Sequence, residues 1–581
     1  MKVRTTLLAS ITCLALGACA TTTAPPAEQA ATSPAAAAST QPAWKDFVQA
    51  TIARWFALDP STAVYQGDHR FDGKLPDWSD AGLATRVAFL RSVIADADGF
   101  TGLSQQDAFE RDALVAVARK ELFWIVDADR PHSNPDWYIG GGLDPNVYIS
   151  REYAPKPVRM TALIAFFDAI PTAAANIQAN LKGPLPASFI KQGVAGFGGF
   201  ADYYRKDALA AFADVRDPAL QARLKASADK AGAAMEALAA SLKAQQPRAT
   251  QAFALGPDRF SRMLKETEGV DIPLAELEAI GRADLKRNQD AVKAACAQFA
   301  PGKTVVECFA KMNADKYPEG PVAAATKQIP DLTAFVRAKD LVTIPGTEQA
   351  LVRQSPPYNA QNGAYIDPPG PYEKGIPSIY YIAPPDPSWS KEKQLAYIPS
   401  KNNLLFTSVH EVMPGHFLQF LHSNRAPSWI GRIFVGYAYA EGWAHYSEEL
   451  MWEAGLGNGD PGVHVGQLSE ALLRDCRFLS AIGLHTQGMT LAQSVKLFED
   501  QCYQDEGTAE QQAARGTYDP AYLNYTMGKL MIRRLREDWT ATRGGRAAWK
   551  SFHDTFLDYG GAPIPMIRQA MMNEPEPRAV F

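Results

Sequence analysis

A succession of long segments with apolar residues at helical spacing restricts what this chain can fold into more than any other feature. Residues 44–57, 80–97, 104–127, 159–182, 216–244 and 272–299 read this way, as do 403–422, 434–454, 464–484, 490–505 and 519–540. Amphipathic helices must bury one face against each other, and neither an internal repeat nor an alternation of strands with helices interrupts the series. The expectation is a mainly α fold with a large helical groove. With 581 residues, 46% of them hydrophobic, the chain can bury a substantial core as one large domain or two lobes. Its formal charge is −5, and no basic cluster suggests nucleic acid.

Within this helical background stands Thr407-Ser408-Val409-His410-Glu411-Val412-Met413-Pro414-Gly415-His416, followed by Glu441 in Ala440-Glu441-Gly442-Trp443-Ala444-His445-Tyr446. A catalytic zinc takes three protein ligands from imidazoles and carboxylates and keeps a fourth position for water. Such a metal acidifies the water and polarises the carbonyl under attack, while a neighbouring glutamate moves the proton. The residue types point to His410, His416 and Glu441 on Zn2+, with Glu411 as general base. In the familiar His-Glu-x-x-His pattern the ligands share one helix face. Here they lie six apart, about 1.7 turns, and would diverge on a straight helix. Pro414 and Gly415 fall inside the interval, so the expectation is a kinked or bulged helix that returns His416 to the face of His410.

Both motifs resemble those of the bacterial domain-of-unknown-function family 885, which carries His-Glu-x-x-Pro-Gly-His and then a Glu-Gly-Trp-Ala segment. The similarity runs from Phe56-Ala57-Leu58-Asp59-Pro60 to the region of Tyr525. That family looks related to the helical gluzincin peptidases, in which a third-ligand glutamate lies a similar distance after the second histidine. The resemblance implies a metallopeptidase-like fold and a zinc metallopeptidase, without naming a substrate. Related peptidases place an oxyanion donor late in the chain, which makes Tyr525 the first choice here and Tyr522 the second, on the same helical face.

Further candidates are His485 as a substrate donor or a structural histidine, and Arg474 and Arg477 as a bidentate clamp for a substrate carboxylate or as ordinary paired arginines. Glu448, seven residues after Glu441, is placed to orient a ligand ring, and His445 shares that face. Between residues 340 and 400 prolines, glycines and tyrosines are dense, and Ser378-Ile379-Tyr380-Tyr381-Ile382-Ala383 has strand composition. Two readings stand: an edge strand or hairpin by the metal, with Tyr380 and Tyr381 binding an extended peptide, or a loop plugged by aromatic rings.

The N-terminus reads as a leader: Lys2 and Arg4, then a mostly apolar stretch from Leu7 to Leu16 that is too short for a typical span. Leu16-Gly17-Ala18-Cys19 resembles a bacterial lipobox, which implies a signal peptide over 1–18 and a lipid on Cys19, an ordinary secretory leader cleaved after small residues being the alternative. Ala20 in place of aspartate favours the outer membrane, facing the periplasm. Residues 19–42 are rich in Ala, Thr, Pro and Ser and read as a flexible tether, with the folded part from 43 to 581. In an oxidising periplasm Cys296 with Cys308 and Cys476 with Cys502 are the pairings favoured by proximity, buried thiols being the alternative.

The functional expectation is a zinc-dependent hydrolase of short peptides, held at the membrane by its N-terminal lipid. Hydrolysis of another amide or ester, or a tethered binding protein with a retired site, are the alternatives, and the retained Glu411 argues against the last. The oligomeric state is open.

Overall fold

The computed structural model describes residues 41–359 and 362–581. Cys19, the leader and the tether up to residue 40 lie outside the described residues. The fold is mainly α, with 68% helix and 3% strand. Several helix starts follow from side-chain caps: Ser79, Ser104, Asp217, Ser400, Asp460 and Asp505 each accept a hydrogen bond from a first-turn amide. Thr304 and Thr490 form capping boxes with Glu307 and Gln493.

Buried apolar residues form two clusters. One is built from the helices Lys156–Asn180, Ala187–Arg205 and Pro218–Lys243 together with Trp78, Tyr138, Tyr148 and Tyr358. The other joins the first helix, Gln41–Leu58, to the C-terminal helices. Lys156–Asn180 is the single helix among the described residues long and apolar enough to cross a membrane, and its buried face belongs to the first of these clusters. The Ala187–Arg205 helix lies outside the segments that apolar spacing marks, and it carries Gly193, Gly196, Gly198 and Gly199, which lower helix propensity. Inside the fold, Gly193 meets Leu242 and Pro135, and Gly196 meets Ile139.

Three expected elements are corrected. The segment 403–422 is two helices, Lys401–Glu411 and His416–Ser423, and the segment 104–127 ends in a π turn over Phe123–Asp127. The strand at 378 is central, not an edge. Strand β1 (Ala350–Gln354) pairs parallel with β3 (Ser378–Ile382), and β2 (Ala364–Asp367) pairs antiparallel on its other side. Because β1 and β2 pair with β3 on its two sides, both its hydrogen-bonding edges are used and no extended peptide can add to it; all five of its residues are buried.

Both proximal disulfides form. Cys296–Cys308 links the helices Leu274–Phe299 and Val305–Ala314, and Cys476–Cys502 links Pro461–Thr486 to Leu491–Cys502. Where the two clusters meet lies a cavity of about 1200 Å³, lined from one side by Trp78, Tyr148 and Phe166 and from the other by Leu404, Tyr380 and Tyr525.

Candidate metal centre

His410 sits in the last turn of the Lys401–Glu411 helix, and His416 opens the next one. Between them the chain makes a tight turn through a cis Met413–Pro414 peptide. The turn folds back so closely that a Cβ on Gly415 would lie 1.8 Å from the carbonyl oxygen of His410, which only glycine permits. The six-residue spacing is thus absorbed by a full break between helices, and both rings reach the same point.

Glu441 meets them from the Tyr437–Glu453 helix. One of its carboxylate oxygens, Oε2, lies 3.2 Å from His410 Nε2 and 3.2 Å from His416 Nε2. The three donor atoms all fall within 4.8 Å of one another. Tetrahedral zinc with bonds of about 2.0–2.2 Å separates neighbouring donors by roughly 3.4 Å, so this donor set fits that ion. Burial works against charge on Glu441, but the facing imidazoles hold its carboxyl well below the usual carboxylate range. The set therefore offers two imidazoles and an anion.

The second motif grips the first. Trp443 donates its indole N–H to the carbonyl of Pro414 at 2.8 Å, fixing the turn that carries His416. Gly442 lies against Gly528, where a Cβ would come 2.5 Å from the Gly528 Cα, so the Tyr437–Glu453 and Asn524–Ala541 helices touch backbone to backbone. Tyr525, one turn before Gly528, then faces His410 with ring centroids 6.1 Å apart. Its hydroxyl accepts from Arg515 at 3.4 Å, which leaves its own proton to donate into the cavity.

Glu448 is fully buried one layer behind. Oε1 accepts from His410 Nδ1 at 2.7 Å, Oε2 lies 3.3 Å from His445 Nδ1, and Arg474 approaches at 3.4 Å. Binding the outer nitrogen of His410 turns Nε2 toward the centre and makes it a better donor. Glu411 lines the cavity beside the three donors, and its Oε2, buried, has no hydrogen-bond partner among the described residues. Burial pushes its carboxyl pKa up, against the neighbouring imidazoles. The two carboxyls are thus driven in opposite directions, Glu441 toward the anion and Glu411 toward a proton acceptor of raised basicity.

Other expected site residues are placed differently. Tyr380 lines the cavity, close enough to Glu411 that the carboxylate adds to burial in raising its hydroxyl pKa. Tyr381 points to the other face of β3, where its hydroxyl accepts from Asn146 at 3.0 Å and its ring stacks on Tyr365; both partners line the cavity and Tyr381 itself does not. Period-two alternation of the strand separates the two tyrosines. His485 lies outside the cavity lining: Nε2 is 2.7 Å from the Gly516 carbonyl, Nδ1 accepts from the Leu255 amide, and burial lowers the ring pKa to about 4. Tyr522 is buried in the turn before the Asn524–Ala541 helix, against Gly516 and outside the cavity lining, so it does not share a face with Tyr525. Arg474 also lines the cavity, with its guanidinium paired to Glu448 and Glu470. Arg477 lines the cavity with its Nε donating to Gln512 at 2.7 Å. Sequence reasoning missed Arg515 and Tyr437, which meet Tyr525, and Gln512, which meets Arg477. No local pattern marks them.

These observations define a mainly helical protein whose cavity ends on a His–His–carboxylate cluster with Glu411 alongside. The chain belongs to the family of bacterial proteins of unknown function DUF885, whose model matches residues 60–571. A candidate lipoprotein of unknown function from Shewanella oneidensis is similar in structure, with a TM-score of 0.73 and 25% identity over 91% of this chain and 99% of that one. A candidate lipoprotein from Colwellia psychrerythraea shares the fold with a TM-score of 0.78 and 18% identity over 92% of this chain and 99% of that one. No curated protein matches the sequence.

Proposed function

We propose that this chain is a zinc-dependent hydrolase of short peptides, anchored in the cell envelope. The observation that carries the proposal is the convergence of His410, His416 and Glu441 beside Glu411, whose buried Oε2 has no hydrogen-bond partner among the described residues. A purely structural metal site has no use for such a base. Zinc, when bound by His410, His416 and Glu441, supplies a Lewis acid that polarises a carbonyl and acidifies water.

The chain's own residues divide the remaining work. Glu411 takes the proton of the attacking water and delivers it to the leaving amine. Tyr525 donates its O–H to the oxygen that becomes negative, and Arg515 behind it increases the acidity of that donor. Glu448 fixes the tautomer and tilt of His410, with Arg474 balancing its buried charge. A cavity walled by both core clusters admits short or unfolded chains in preference to folded proteins. The lipobox-like Cys19, together with the candidate-lipoprotein relatives, supports attachment to the outer membrane facing the periplasm.

Zinc content and mass-spectrometric cleavage of a peptide library decide the proposal. Wild type is expected to hold one zinc per chain and to cleave. Glu411→Gln is expected to hold the same zinc and lose about 10²–10⁴-fold in kcat. Zinc without cleavage of any peptide would redirect the reading to another amide or ester, and absence of zinc would overturn it.

A further inference from the structure

Three guanidinium groups surround the ring of Tyr525, with Cζ at 4.6 Å for Arg477, 5.8 Å for Arg515 and 6.0 Å for Arg474. Two of them are neutralised within the protein. Arg474 pairs with Glu448 and Glu470, and Arg515 pairs with Asp519 at 3.1 Å. Arg477 is 7% exposed and has no carboxylate partner among the described residues; its single side-chain hydrogen bond is to the neutral amide of Gln512. Burial pushes its pKa down, as expected of a cation with no counter-charge. Buried charges are ordinarily paired, so an unpaired guanidinium lining a cavity beside a candidate reaction centre is a place for an anion that arrives with the substrate.

We propose that Arg477, seated on Tyr525 and backed by Arg515, receives the free C-terminal carboxylate of the substrate, which makes the protein a carboxypeptidase releasing a short C-terminal fragment. This rests on the hydrolase reading above. The anion required is the one every short peptide carries, and it must lie on the leaving-group side of the scissile bond. The ring contacts in series place the Arg477 guanidinium within about 11 Å of the His410 ring, so at ~3.3 Å per extended residue the released fragment is about one to three residues long. Tyr525 then divides the cavity, with its hydroxyl toward the reacting carbonyl and its ring face under the carboxylate clamp.

Calorimetry on zinc-loaded Glu411→Gln protein, which holds peptides without turning them over, tests this with one peptide sequence made as the free acid and as the C-terminal amide. The acid is expected to bind at least tenfold more tightly, and Glu411→Gln/Arg477→Gln is expected to bind both forms equally. In wild-type background, Arg477→Gln should raise KM for the acid with little change in kcat, and Arg477→Lys should recover part of the difference. Equal binding of acid and amide by the Arg477-containing protein overturns the proposal, and needs no variant at that position that might misfold. So does a preference that follows an acidic side chain instead of the terminus. If the amide is cleaved as well as the acid, the hydrolase reading stands and this one falls. If the acid binds preferentially and nothing is cleaved, the carboxylate site stands and the hydrolase reading falls.

Discussion

At the scale of single residues, Glu448 shows how a buried charge is made useful. It is completely excluded from water, yet it meets His410, His445 and Arg474, and those contacts hold its carboxyl well below the usual range although burial alone would raise it. The ring of His410 is therefore gripped from behind by an anion that stays charged. His416 has no equivalent; its Nδ1 is buried without a partner among the described residues. The His410–His416–Glu441 cluster is thus anchored asymmetrically, through His410. Glu448→Gln keeps the shape and removes the charge, so zinc affinity is expected to fall about 10–100-fold in a competition titration against a chromophoric chelator. An unchanged affinity would show that Glu448 serves packing alone.

Between elements, the decisive contact is the crossing of the Tyr437–Glu453 and Asn524–Ala541 helices at Gly442 and Gly528. A Cβ on Gly528 would come 2.1 Å from the Ala438 carbonyl oxygen, which has no room to move inside its helix. Gly528→Ala is expected to force the helices apart at a cost of about 1–3 kcal/mol, seen as a lower melting temperature. Because Tyr525 rides on the same helix, kcat should fall in the variant even where it remains folded. An alanine variant with wild-type melting and turnover would mean the crossing has slack that the distances deny. The break after Glu411 works by the same logic, with a glycine accepting an approach that no side chain allows.

Across the whole molecule, a polar cluster ties the segment after Tyr148 to the loop beyond β2. Arg151, almost fully buried, bonds Asp367 at 2.6 Å, Glu373 at 2.8 Å and the Tyr65 carbonyl at 2.7 Å. His69 joins it, 3.1 Å from Glu373 and 2.9 Å from Asp72, with its ring stacked on Tyr153. Burial opposes charge on His69, but the bonds to Asp72 and Glu373 prevail and raise its pKa to about 9. A folded-state pKa above the unfolded value means stability that is complete below about pH 6.5 and is lost as pH rises toward about 9. Wild type is expected to melt at progressively lower temperature across that window, and His69→Gln to flatten that part of the profile. A profile unchanged by the substitution would assign the alkaline loss to other groups.

By itself the sequence determined what depends on near neighbours along the chain. Apolar spacing marked the long helices, and Pro414-Gly415 marked the interruption between the histidines. Separations of twelve and twenty-six residues pointed to the two disulfides that form. The Ala187–Arg205 helix was hidden because its glycines, which serve close packing, look locally like breakers. Only the tertiary structure decided which side of β3 each tyrosine faces, since that depends on two strands arriving from elsewhere. It also separated Arg474 from Arg477, alike in sequence and three residues apart, because the difference lies in whether Glu448 and Glu470 or a neutral amide meets the guanidinium. Of the two readings of His485 the sequence could not choose the structural one, because its partner, the Gly516 carbonyl, is remote in the chain, and the placement of Tyr522 before the Asn524–Ala541 helix, away from the cavity, was equally invisible. Charge compensation and the identity of a packing partner are properties of three-dimensional neighbourhoods, and no local spacing encodes them.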